Sequence, residues 1–151
     1  NTYTQEGIAV LTEYLSGHLT IRRLKELALR VVGVDLMING LDFKSVYHEM
    51  NKSYYLEPKD AFTLTTRIFR GGGFTKDHLY LKGFIKILKL WESGKSLNPL
   101  LLGKNSVHYY DIYKEMIARE LANPPDYVTS ILKNPVKSKK EVEFVISGLR
   151  G

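Results

Sequence analysis

Three stretches of this chain carry residue types that could do chemistry. Glu6 stands directly before Gly7 in Thr4-Gln5-Glu6-Gly7-Ile8-Ala9, at the head of a run with helical apolar spacing. Glycine inside a helix costs about 1 kcal/mol relative to alanine, so Gly7 predicts that something comes close to the backbone there. The fold-only alternative is that Glu6 caps the helix and Gly7 relieves crowding. Arg67 and Arg70 lie three apart, on one helix face, and the planar fork of Arg matches a carboxylate. After them come Gly71, Gly72 and Gly73, then Lys76, Asp77 and Tyr80. Glycines let a substrate backbone approach, and a tyrosine hydroxyl can donate to a developing oxyanion. The pattern predicts Arg67, Arg70 and Lys76 as substrate-binding residues and Tyr80 as a catalytic donor. The competing reading is surface ion pairs and a tyrosine packed in a core.

Other chemistries fit less well. In Gly71-Gly72-Gly73-Phe74-Thr75-Lys76 the Thr precedes the Lys, whereas a phosphate loop needs Gly-Lys followed by Ser or Thr. His18, His48, His78 and His108 have no metal-ligand partner at helical spacing. His48-Glu49 opens like a zincin helix, but Lys52 and Ser53 stand where the second His would fall. They are expected to be ordinary surface or packing residues.

The elements that must position these residues are helical. Ile8, Leu11, Leu15 and then Leu24, Leu27, Val31, Val34 recur at three- and four-residue spacing. Helices are predicted from about Thr4 to Ser16, after Thr20 to Ile38, after Asp42, after Pro58 to Gly71, from Lys76 to Glu92, and from Val107 to Leu121. Thr2 with Gln5, and Ser138 with Glu141, have capping-box spacing. Gly17, Asn39-Gly40 and Gly94 stand at stop positions. In the tail, Val142, Phe144 and Ile146 alternate like a strand, whereas Val142, Val145, Ile146 and Leu149 make a helical stripe; a helix is expected. The fold class is all-α, as a single compact multi-helix domain.

The 151 residues suffice for a full core, and no apolar run approaches the roughly 20 residues that span a bilayer. There is no Cys, which makes a reducing, cytoplasmic compartment the natural expectation. The net charge of +6 comes from 22 Lys and Arg against 16 Asp and Glu. These cations are scattered and accompany no nucleic-acid reading motif, so no nucleic-acid or membrane partner is expected.

The phrases "TQEGIAVLTEYLSG", "LALRVVGVDLM", "RIFRGGGFTKDHLYLKG" and "LLLGK" resemble the QEGLA-motif family over nearly the whole chain. That family comprises bacterial flavohaemoglobin expression-modulating proteins and the related microtubule-associated tyrosine carboxypeptidases. The resemblance implies a helical, zincin-like metallopeptidase. In it a His-Glu-x-x-x-His helix gives two zinc ligands and a general base, and a Glu on the following helix, matched here by Glu6, gives the third. It also implies that residues 1–151 are the C-terminal part of such a domain, packing against a preceding histidine helix that Gly7 lets approach.

The expected function is that of the C-terminal part of a zinc-dependent carboxypeptidase. It would act on a peptide or protein C-terminus, with Glu6 holding zinc in the intact protein and Arg67 and Arg70 on the same concave surface as Glu6. Alone it is expected to be inactive and zinc-free. The rival is a non-catalytic helical module that binds a partner or regulates expression.

Overall fold

Apolar residues three and four apart give a helix one buried stripe, and stripes pack in pairs. In the computed structural model, which describes residues 2–70 and 76–149, this pattern forms seven α-helices: α1 Thr2–Leu15, α2 Ile21–Ile38, α3 Phe43–Lys52, α4 Pro58–Arg70, α5 Leu79–Glu92, α6 Tyr110–Ala118 and α7 Lys140–Gly148. Short 3₁₀ turns at Asn98–Leu101, Val107–Tyr109 and Ser130–Leu132 link the later helices. No strand occurs among the described residues, so the all-α expectation holds. None of their helices is long and apolar enough to cross a membrane. Gly71, where the fourth helix is predicted to stop, and Gly72 and Gly73 lie outside the described residues.

The chain divides into two compact units, Asn1–Ile21 with Tyr80–Gly151, and Arg22–Leu79. In the first, α1 buries Thr4, Gly7, Val10, Leu11, Tyr14 and Leu15, and α5 buries Gly83, Phe84, Ile87 and Leu88. The two helices meet backbone to backbone. A Cβ added to Gly7 would lie 2.5 Å from the carbonyl carbon and oxygen of Gly83 and 2.9 Å from Ile87 Cγ1. One added to Gly83 would collide with the Tyr3 carbonyl oxygen. The neighbour that Gly7 predicts is therefore α5 of this same chain. Around the crossing, Tyr3 Oη donates to Lys82 O at 3.1 Å and the Tyr14 and Phe84 rings meet edge-on at 6.1 Å. Leu11, Phe84, Ile87, Leu100 and Ile146 are fully buried, each contributing about 1.5–3 kcal/mol.

Both ends of α1 are held by later segments. The buried Thr4 Oγ1 accepts from Val107 N at 2.9 Å, and Gln5 Nε2 donates to Gly103 O at 3.1 Å. At the other end, Leu15 O accepts from Val136 N at 2.7 Å and Tyr14 O from Ser138 Oγ at 2.8 Å. These bonds correct both capping boxes, because Gln5 and Ser138 are engaged by distant carbonyls. The N-cap of α7 is Lys139, which makes no side-chain cap bond. The tail is a helix, with Val142 and Ile146 buried and Phe144 79% exposed.

In the second unit α2, α3 and α4 pack around Leu29, Val46, Met50 and Ala61, with Leu36, Tyr47, Leu64 and Phe69 against them. The ends of α2 fall where the sequence places them, and Gly40 turns the chain at φ +92°. Asp42 caps α3, its carboxylate accepting from Ser45 N at 2.8 Å. Elsewhere the boundaries move. In the later part, α5 begins at Leu79 and not Lys76. The Val107–Leu121 helix starts as a 3₁₀ turn and stops at Ala118, where Glu120 takes φ +57°.

Gly7→Ala and Gly83→Ala each place a methyl group against backbone, so urea denaturation should show a loss of about 1–3 kcal/mol despite alanine's higher helix propensity. Gly103→Ala meets nothing within 4 Å and should be near neutral. At Asp42, hydrogen bonds from the Ser45 side chain and backbone hold the carboxyl below its ordinary value. That contribution is present above the unfolded-state pKa and lost as pH falls through the folded one. Asp42→Ala should therefore lower Tm at pH 7, and the gap from the parent should close on acidification below about pH 4.

Candidate functional site

Glu6 is half-buried on α1 and has no hydrogen-bond or ion-pair partner among the described residues. Because α1 starts at Thr2, Glu6 lies beyond the first turn, which holds no acidic residue. Helix-dipole stabilisation falls off within that turn, so neither a cap nor the dipole explains this carboxylate. The Gly7–Gly83 crossing fixes the backbone beside it. No group of three or more Asp, Glu or His that could hold a metal occurs among the described residues. A catalytic zinc needs three protein ligands, so these residues do not compose a zinc site by themselves.

The second unit contains a buried ionic cluster. Asp77, 7% exposed at its side chain, accepts from Arg67 Nε at 2.6 Å, and Arg30 Nη1 lies 3.9 Å from the same oxygen. Arg30 is 12% exposed and Arg67 41%. Two guanidinium groups thus share one carboxylate in a largely water-excluded place, where charges interact more strongly than in bulk water. Leu24, Leu27 and Val34 make the buried stripe of α2, and Arg30 interrupts it between Leu27 and Val34. A cation within an apolar stripe was the available signal for a buried anionic partner. Asp77 itself has no such mark, since its partners are remote in sequence.

Arg67 and Arg30 also line a cleft of about 260 Å³ between α2 and α4, with Lys25, Leu29, Leu56 and Leu64 among its walls. Arg22, at the same cleft, pairs with Glu26 at 3.3 Å and Asp60 at 3.7 Å. Cations over an apolar floor suit a ligand with an anionic end and an apolar body. The structure places Arg67 at this concave surface, its Nε committed to Asp77. Arg70, the last residue of α4, and Lys76 are exposed and do not line the cleft. In the first unit Tyr80, the second residue of α5, is half-buried. His18, His48 and His108 are exposed, as ordinary surface histidines would be. His78 Nδ1 is buried without a hydrogen-bond partner among the described residues.

Asp77→Ala removes the buried carboxylate that Arg30 and Arg67 share and should cost about 1–3 kcal/mol by denaturation. Arg67→Gln, at a more exposed and screened position, should cost less.

Against known proteins, no curated protein and no solved structure shows a significant match. The family model described as microtubule-associated tyrosine carboxypeptidase matches residues 1–150, which is nearly the full length over which the sequence phrases gave the same resemblance. The chain belongs to the microtubule-associated tyrosine carboxypeptidase family.

Proposed function

We propose that this chain is part of a carboxypeptidase-like hydrolase that acts on the C-terminus of a peptide or protein. The observation that carries the reading is the family match over residues 1–150. Within it, Glu6 is the candidate third zinc ligand, the other two being imidazoles outside this chain. A half-buried carboxylate with no partner among the described residues, on a helix locked by the Gly7–Gly83 contact, supports that role. It can meet an incoming cation without first breaking an ion pair with a described residue.

Arg67, Arg70 and Lys76 are the candidates for holding the substrate's terminal carboxylate. Arg67 is oriented by Asp77, and a positioned guanidinium recognises a carboxylate better than a free one because less rotamer freedom is lost. Tyr80 is the candidate donor to the developing oxyanion. The lack of Cys supports a cytoplasmic location, and Glu6's environment supports packing of α1 against a further part of the same protein.

The test uses the full-length gene product. Glu6→Gln keeps the side-chain shape and forfeits its charge, so zinc content by elemental analysis should fall well below one per chain. Release of the C-terminal residue from peptides should drop by about two orders of magnitude or more. One zinc per chain with normal turnover in Glu6→Gln would remove the ligand assignment. A parent protein with neither zinc nor peptidase activity would instead favour a non-catalytic binding or regulatory module.

A further inference from the structure

The first unit also has two clefts whose walls carry lysines and no acidic side chain. Past Glu92 the chain turns at Gly94, φ +75°, and Lys95, Ser96 and Asn98 then line two adjoining clefts of about 410 and 400 Å³. Trp91 and Lys133 also line the first, and Tyr110 and Lys114 the second. No Asp, Glu or Arg lines either cleft. This contrasts with Arg22, whose charge is met by Glu26 and Asp60.

The shared cation is held in place. Lys95 Nζ sits 5.5 Å from the centroid of the Tyr110 ring, a cation–π arrangement, and Tyr110 Oη donates to Ser96 O at 2.9 Å. Burial, with the charge of Asp111 adding to it, raises the phenol above its ordinary pKa, so this donor stays protonated throughout the physiological range. On the other side Trp91 Nε1 donates to Leu132 O at 3.2 Å, tying the indole to the residue before Lys133.

Three ammonium groups around concave walls build a positive potential that concentrates anions. The chemistry of the donors narrows the class. A planar carboxylate is best met by an Arg fork, whereas Lys binds phosphate as a point charge with three donors. Ser96 Oγ accepts from Asn98 N at 3.2 Å, and its hydroxyl hydrogen and the Asn98 side-chain amide can donate to phosphoryl oxygens. Each volume lies within the roughly 300–1,000 Å³ of small-molecule sites. Because Lys95 lines both clefts, a single phosphate in one of them would meet only two of the three ammoniums. We propose that this double cleft binds a polyphosphorylated small molecule or headgroup, with a phosphate in each cleft and Lys95 between them.

Trp91 is the chain's one tryptophan, so its emission reports occupancy. Titrating the full chain with sodium tripolyphosphate at low ionic strength should change that emission saturably, with one-to-one stoichiometry by calorimetry and weakening as salt is added. Inorganic monophosphate should bind more weakly. Lys95→Gln should raise Kd about tenfold or more, and Lys114→Gln with Lys133→Gln should do the same, whereas Lys44→Gln with Lys59→Gln in the second unit should leave it unchanged. Soluble inositol trisphosphate and phosphatidylcholine vesicles carrying phosphatidylinositol bisphosphate separate the two sources. Preference for the free anion assigns a soluble ligand, and preference for the vesicle assigns a headgroup. No saturable response to any of these probes would overturn the proposal. So would an unchanged Kd in Lys95→Gln, or in the double variant should Lys95→Gln fail to keep its helical circular dichroism.

Discussion

The contact between the backbones of Gly7 and Gly83 is the constraint on which the first unit depends. Two helices that cross with no room for a Cβ on either glycine have little freedom to slide, because the next side chains along each would strike the partner's turn. The surroundings follow from that register. Tyr3 reaches the carbonyl of Lys82, Ile87 fills the space beside Gly7, and Tyr14 meets the edge of Phe84. With α1 set, its polar groups become anchors for the later chain. Thr4 takes up the amide of Val107, and the last carbonyls of α1, which no helix can satisfy internally, receive Val136 N and Ser138 Oγ. A segment with little regular structure, from Ala122 to Lys139, is thereby tied down at its far end by a helix near the start of the chain.

Arginines in both units meet carboxylates: Arg22 with Glu26 and Asp60 and Arg30 and Arg67 with Asp77 in the second, and Arg119 with Glu115 in the first. Removing water from a guanidinium is expensive unless an anion and good hydrogen bonds replace it, and Asp77, among the most buried polar residues described, meets that need for two cations at once. In the first unit Lys95, Lys114 and Lys133 border open clefts, where solvent carries the cost of the charge. The net charge of +6 is therefore no uniform coat.

What could be read from the sequence was whatever local chemistry decides. Asp42 caps the helix that follows it, Gly17 and Gly40 end helices by entering the left-handed region, and the apolar spacing gives each main helix its inner face. Beyond shifted helix ends, the misses have remote causes. Thr2-Gln5 and Ser138-Glu141 have capping spacing, yet Gln5 and Ser138 are drawn to carbonyls on other segments. Gly7 announces a close neighbour without identifying it, since Gly83 carries no mark of its own until the two helices cross. Likewise Arg67 is legible as a carboxylate binder, but the carboxylate it holds in the structure is Asp77.

The same remoteness bears on Glu6. A carboxylate beside a mandatory glycine could be a local device, stabilising the helix start by capping or through the dipole. The observed start of α1 at Thr2 removes that explanation, because Glu6 comes after the turn in which either effect acts. Rigid placement suits the ligand role proposed for Glu6. The glycine that locks α1 to α5 and the carboxylate next to it thus belong to one arrangement: Gly7 fixes where the backbone is, and Glu6 presents from that fixed point a charge that no described residue answers.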